Sequence, residues 1–209
     1  RFSTASRCNS ASASASVSEG GTITYTASLT NPAETAMSVT LSNGAVINII
    51  AGASSGNVSV AAPSDDVYID AGSVSATIAS SSGGNFESLT TNPAAAATTI
   101  TDTIDTTSVT LSSATAGSNV TEGGSIVYTA TVDHLVTGTP LVVTLSNGQT
   151  ITIPVGALSA DSAPFNVRAD DAYVDANDNL SVTITGTSGA NYEAVSTSGT
   201  ISNSVVDDA

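Results

Sequence analysis

Thr121-Glu122-Gly123-Gly124-Ser125-Ile126-Val127-Tyr128-Thr129-Ala130 decides the fold, because Ser18-Glu19-Gly20-Gly21-Thr22-Ile23-Thr24-Tyr25-Thr26-Ala27 says nearly the same thing earlier in the chain. In the later copy Ile126, Tyr128, Ala130 and Val132 share one face of an extended chain, and Ser125, Val127, Thr129 and Thr131 take the other. That period of two marks a strand with one buried face. The Glu-Gly-Gly ahead of it is a turn signal.

Outward from this segment the correspondence continues. Thr40-Leu41-Ser42-Asn43-Gly44 returns as Thr144-Leu145-Ser146-Asn147-Gly148, and Asp65-Asp66-Val67-Tyr68-Ile69-Asp70 as Asp170-Asp171-Ala172-Tyr173-Val174-Asp175. Gly84-Asn85-Phe86-Glu87 returns as Ala190-Asn191-Tyr192-Glu193. The offset drifts from 103 to 106, so insertions fall between strands, where loops tolerate them. The reading is two copies of one domain, residues 1–104 and 105–209. Alternation recurs at Leu141, Val143 and Leu145, at Ile151 and Ile153, and at Leu180, Val182 and Ile184. About seven strands per copy, in about 100 residues, predicts an all-β fold of two tandem immunoglobulin-like β-sandwiches. The Trp and paired Cys of antibody domains are absent. Tyr68 and Tyr173 stand where such sandwiches place a corner tyrosine.

Composition narrows the function. Three basic against eighteen acidic side chains give a formal charge of -15, and lysine is absent. Nucleic acid and anionic membrane both call for clustered Lys/Arg, so neither is an expected partner. Hydrophobic residues make up 40% but aromatics only 4%, so the core is built from small and β-branched side chains. No apolar run reaches the ~18 residues of a membrane span. Cys8 has no partner for a disulfide and reads as incidental. Residues 1–16 are Ser/Ala-rich and match neither copy well, reading either as foreign sequence or as a degenerate first strand.

The acids fall in a pattern. If strands alternate up and down, one pole of the first copy collects Glu19, Asp65, Asp66, Asp70, Asp102 and Asp105, together with Asn43. The same pole of the second collects Glu122, Asp170, Asp171, Asp175, Asp178, Asp207 and Asp208, so that thirteen of the eighteen acids lie at these poles. Crowded carboxylates repel, and Ca²⁺, which takes six to eight oxygen ligands in flexible geometry, is the usual remedy. The plainer reading is a solvated acidic pole that aids solubility. Asp175-Ala176-Asn177-Asp178-Asn179 begins like an EF-hand loop, with Asp175, Asn177 and Asp178 as candidate ligands, but Leu180 stands where that loop requires glycine. Asp133 or Asp161 is expected to complete a junction site with Asp102 and Asp105, stiffening the linker.

These motifs have a family likeness. Val120 to Thr131, Val143 to Gly148, Asp65 to Ile78 and Thr101 to Thr107 resemble the extender repeats of large RTX adhesins of Gram-negative bacteria, over roughly residues 17–209. The resemblance implies Ig-like repeats, exported by type I secretion, that fold on meeting external calcium and hold a ligand-binding tip away from the cell for attachment and biofilm formation. It also implies an extracellular, cell-surface location, neighbouring repeats as partners, no membrane insertion and no obligate oligomer. The family's calcium positions would map onto the Glu-Gly-Gly acid, the Asp-Asp-x-Tyr-x-Asp turn and the Asp-Thr-Ile-Asp linker. Asn203-Ser204-Val205-Val206-Asp207-Asp208 departs from that linker pattern.

Rival functions have less behind them. His134 is the lone histidine, and Asp133 beside it in sequence does not make a triad, so an enzyme is not expected. One Cys and one His cannot make a zinc site. A carbohydrate- or peptide-binding module is the alternative, but sugar platforms use exposed aromatics, and Tyr25, Tyr128, Phe86 and Tyr192 recur at positions that read as structural.

Overall fold

The structure, a computed structural model, is described for residues 6–12 and 14–207. No described residue is helical. Contacts divide the chain into two compact units, Arg1–Asp65 with Asp70–Thr103, and Asp66–Ile69 with Ile104–Ala209.

In the first unit the strands are β1 (Ser6–Ser12), β2 (Ser16–Ser18), β3 (Thr22–Leu29), β4 (Met37–Leu41), β5 (Val46–Ile49), β6 (Ser55–Ala61), β7 (Gly72–Ala76), β8 (Ile78–Gly83), β9 (Leu89–Thr91) and β10 (Ala96–Thr101). One sheet has the order β6-β3-β1-β9; the other is made of β5-β4-β8 and β7-β10-β2, with β7 and β8 nearly continuous. Ile23, Tyr25, Ala27 and Leu29 of β3 alternate inward with exposures of 8% or less, as the sequence period requires. They meet Val39, Leu41, Ile47, Ile49, Ala96 and Ile100 from the facing sheet in a single core. A fully buried Val or Ile side chain contributes about 1.5–3 kcal/mol, so many small residues serve in place of a few aromatics.

The low-complexity start is a strand of this sandwich. Ser6–Ser12 pairs antiparallel with β3, Cys8 opposite Leu29, and parallel with β9. Cys8, incidental on its sequence, is fully buried in the core, where a thiol behaves as a small hydrophobe.

The second unit repeats the plan with β11 (Thr106–Ser112), β12 (Asn119–Thr121), β13 (Ser125–Ile126), β14 (Thr129–Val132), β15 (Leu141–Leu145), β16 (Thr150–Ile153), β17 (Ser159–Asp161), β18 (Phe165–Asn166), β19 (Asp178–Ser188), β20 (Ala194–Ser198) and β21 (Thr200–Val206). Joining the pieces separated only by short breaks (β11/β12, β13/β14, β17/β18, β20/β21) leaves seven strand paths with β15, β16 and β19. β17-β14-β11-β20 form one sheet and β12-β21-β19-β15-β16 the other. The last path changes sheets at Gly199, where φ is +102° and an added Cβ would lie 2.5 Å from Leu111 O. Only glycine takes that backbone cheaply.

The corner-tyrosine expectation fails. Tyr173 is 77% exposed. Tyr68, although part of the first copy by sequence, lies in the second compact unit. Its ring stacks on Tyr192 with centroids 5.6 Å apart, and its hydroxyl donates to Leu135 O at 2.8 Å. Asn191 grips the same segment, donating from Nδ2 to Ile69 O at 2.8 Å while its carbonyl accepts from Ile69 N. Side-chain stacking and sheet-like backbone bonds thus outweigh the position of these residues in the repeat.

Candidate metal centre

In the first unit, register alone brings three acids together. β2 runs parallel to β10 with Ser18 beside Thr101, so the residues that follow, Glu19 and Asp102, leave the sheet side by side. β10 runs antiparallel to β7 with Ile100 opposite Gly72; two residues further on, Asp102 meets Asp70. The Glu19-Gly20-Gly21 turn is held by Glu19 N donating to Thr101 O at 3.1 Å and Gly20 N donating to Pro63 O at 2.7 Å, with Gly20 at φ +66°. One carboxylate oxygen each from Glu19, Asp70 and Asp102 lies within 4.8 Å of the others.

Glu19 is 6% exposed, Asp102 is partly buried and Asp70 is open to solvent. Asp102 Oδ1 is buried without a hydrogen-bond partner. Among the described residues, neither Asp70 nor Asp102 enters an ion pair. Like charges at this spacing repel on the order of 3 kcal/mol per pair at an effective dielectric of about 20, and less where Asp70 faces water. All-oxygen donors, one buried and one without a donor of its own, fit a hard divalent cation such as Ca²⁺ and do not fit zinc. Asp65 flanks the group: its Cβ lies 3.5 Å from where a Cβ on Gly20 would be, and Thr103 Oγ1 donates to its Oδ1.

The second unit builds the same frame. Glu122 N donates to Val206 O at 2.9 Å and Gly123 N to Arg168 O at 2.8 Å, so Glu122, Asp175 and Asp207 are the counterparts of Glu19, Asp70 and Asp102, and Arg168 is the counterpart of Pro63. Asp175 N donates to Asp207 Oδ1 at 3.0 Å. Into this frame Arg168 sends its guanidinium: Nε lies 2.8 Å from Glu122 Oε2 and 3.4 Å from Asp175 Oδ2, and Nη1 lies 3.3 Å from Asp178 Oδ2. Nη1 also donates to Ala176 O at 2.9 Å. Desolvation works against the charged guanidinium, but the hydrogen bond to Glu122 and the charges of Asp175, Glu122 and Asp178 outweigh it and hold its pKa above the usual arginine value. This frame does not fit a metal ion between Glu122 and Asp175, because a cation already stands there.

The LapA domain family matches twice, over residues 9–103 and 105–209. The chain belongs to the LapA domain family. The resemblance to adhesin extender repeats read from the sequence is borne out by this match. A similar solved structure is a tetra-tandem repeat in the extending region of a large adhesion protein, at 17% identity and a TM-score of 0.37, covering 98% of this chain. The present chain spans about half the length of that structure (50%). No curated protein matches the sequence.

Within these LapA domains the remaining predicted ligands are dispersed. Asp66 Oδ1 accepts from Tyr68 N and Asp171 Oδ1 from Tyr173 N, both at 2.8 Å, so each closes a local turn. Asp170 packs under Gly123 and is exposed. Asn177 is exposed in the connection before β19, and Asp178 opens that strand opposite Val205, so the segment that resembles an EF-hand is half strand. Asp105 N donates to Glu193 Oε2 at 2.7 Å. Asp161 Oδ1 accepts from Thr129 Oγ1 at 2.6 Å across β14 and β17. Asp133 Oδ1 accepts from Ser108 N at 2.9 Å; despite some desolvation, that bond and His134 hold its carboxyl below the usual range. Among the described residues, Glu19, Asp70 and Asp102 are the one group of three or more such side chains whose ligand atoms converge. Asp208 lies outside the described residues.

His134 meets both Asp133 Oδ1 (2.9 Å) and Thr107 Oγ1 (3.5 Å) through Nδ1. A catalytic relay uses opposite ring nitrogens for its two partners, so this constellation is not one.

Proposed function

We propose that the chain is a calcium-rigidified extender module of a secreted, cell-surface bacterial adhesin, serving attachment and biofilm formation by carrying a binding tip outward. Membership of the LapA domain family supports the adhesin setting. The observation that carries the calcium reading is the convergence of Glu19, Asp70 and Asp102. Glu19 belongs to the turn entering β3 and Asp102 to the segment leaving β10, so a bound ion would tie the exit of the first domain to its own body. Millimolar calcium outside the cell and scarce calcium inside would leave this domain loose for export and firm afterwards, by mass action on the native state.

The test is calorimetric titration of the whole chain with Ca²⁺, with melting curves in calcium and in chelator. Calcium at about 100 times its dissociation constant adds about 2.7 kcal/mol to a one-site native state. Glu19→Gln and Asp102→Asn should each remove most of that gain while leaving the melting point in chelator level or raised, since carboxylate repulsion is relieved. Equal melting in calcium and chelator for the parent chain would return the acids to the role of a solubilising pole.

A further inference from the structure

We infer that the exposed Tyr173-Val174 segment of the second LapA domain is a docking surface for a further LapA domain following it in a tandem array. It meets that domain's Asn-Tyr-Glu turn as Tyr68-Ile69 meets Asn191-Tyr192-Glu193. This rests on the extender reading proposed above, in which such domains stand in a row.

The template lies inside the second compact unit. Asp66–Ile69 belongs to the first repeat by sequence but to the second unit by its contacts. Tyr68 forms an antiparallel bridge with Tyr192, on whose ring its own is stacked. Beside the bridge, Ile69 N donates to Asn191 O at 3.0 Å and Glu193 N donates to Val67 O at 3.1 Å. Val67 and Tyr68 are partly buried against the core of the second domain. This is strand addition, in which backbone bonds supply the grip and alternate side chains the selectivity.

Ala172, Tyr173 and Val174 are the counterparts of Val67, Tyr68 and Ile69, and all three are exposed, Tyr173 at 77% and Val174 at 92%. Single exposed hydrophobics need no explanation, but these already have the local geometry of the docked segment. Asp171 Oδ1 accepts from Tyr173 N at 2.8 Å, as Asp66 Oδ1 accepts from Tyr68 N at 2.8 Å. The turn is set before a partner arrives, which lowers the ordering cost of docking. A second copy of this chain is a poorer match. Its Asn191-Tyr192-Glu193 turn is filled by its own Tyr68 segment. The equivalent turn of its first domain carries Phe86 and an Asn85 whose Nδ2 donates to Glu34 Oε2 at 2.5 Å. A following domain with the turn of the second repeat supplies the acceptor that is wanted.

The test is a three-domain chain, residues 1–209 followed directly by a second copy of residues 105–209, read by peptide-resolved hydrogen exchange in calcium and in chelator. Asp207 corresponds to Asp102, so this junction keeps the spacing of the existing one. Tyr173→Ala in the outer copy marks that copy by mass. The inner peptide over 172–175 should then exchange about tenfold slower than in the 209-residue chain, the equivalent of about 1.4 kcal/mol. In the 209-residue chain, Tyr68→Ala should speed exchange at Ile69 and Glu193 by a similar factor. Tyr173→Ala in that chain should leave its melting point unchanged. An inner peptide as fast as in the 209-residue chain overturns the proposal, and so does an unprotected Ile69 amide in the parent. Self-association or glycan binding by the 209-residue chain that Tyr173→Ala abolishes also overturns it, because the tyrosine then serves another partner. The bridge uses no ion, so slowed exchange that persists in chelator sustains it even if calorimetry finds no calcium bound and the calcium reading is lost.

Discussion

Arg168 Nε–H donates to Glu122 Oε2 at 2.8 Å, from a guanidinium 19% exposed to a carboxylate 1% exposed. Removing the arginine leaves an enclosed carboxylate without its cation, which is destabilising. Arg168→Ala, measured by urea unfolding in chelator, should lower the unfolding midpoint of the second domain. Glu122→Gln should cost less, because the arginine retains Asp175 and Asp178. Equal, small effects from both would mean that the pair is solvated.

Tyr192 should resist alkaline titration. Burial, then the nearby Tyr68 and Asp133, push its phenol from 10.0 up to about 12. A raised folded pKa means its contribution is complete below pH 10 and is lost as pH climbs toward 12. Its hydroxyl donates to His134 O at 2.6 Å. Tyr192→Phe, which copies Phe86 of the first domain, should cost about 1 kcal/mol at neutral pH and lose less stability than the parent between pH 10 and 12. Ultraviolet absorbance of ionised tyrosine, followed alongside unfolding, checks both.

Cys8 makes a reporter for the first domain. Burial raises its thiol pKa and closes it to solvent, and the thiolate is the reactive form. A thiol reagent should label it only as the domain unfolds, at a rate that rises with urea. Fast labelling of the native chain would remove β1 from the sandwich. Cys8→Ser should destabilise by about 1–3 kcal/mol, the range for burying a hydroxyl without a partner.

Two glycines with positive φ should respond differently to alanine. Gly148, at φ +84°, has nothing within 4 Å of an added Cβ, so Gly148→Ala meets only backbone strain of about 1–2 kcal/mol. At Gly199 the same Cβ would press on Leu111 O at 2.5 Å, adding an overpacking cost of about 1–3 kcal/mol. Unfolding midpoints of the two variants should separate accordingly.

Alternation made the strands legible, since Ile126 and Tyr128 can only point the same way in an extended chain, and both are fully buried. Alternation of strands gathered six acids of the first domain at one pole, but which three converge depends on the pairing of β2, β10 and β7, which the sequence does not display. The roles of Asp66 and Asp171 were not legible, because a carboxylate that closes its own turn looks in sequence like one offered to a ligand. Arg168 escaped because repeats are recognised by matching residues, and it occupies a mismatch; its charge among so few basic residues was the available signal. The β20-to-β21 change of sheet turns on one glycine, which a periodicity of two does not register.

In each domain the entering strand lies parallel to the leaving one: Val17 beside Ile100 in the first, and Val120 beside Val205 in the second. Tension drawn through the two ends of a domain would pull these neighbours in opposite directions along their shared length. The rungs between them are then loaded in shear and must yield together, whereas a hairpin would unzip one rung at a time. The strand order that sets Glu19 beside Asp102 is thus also a brace against drag.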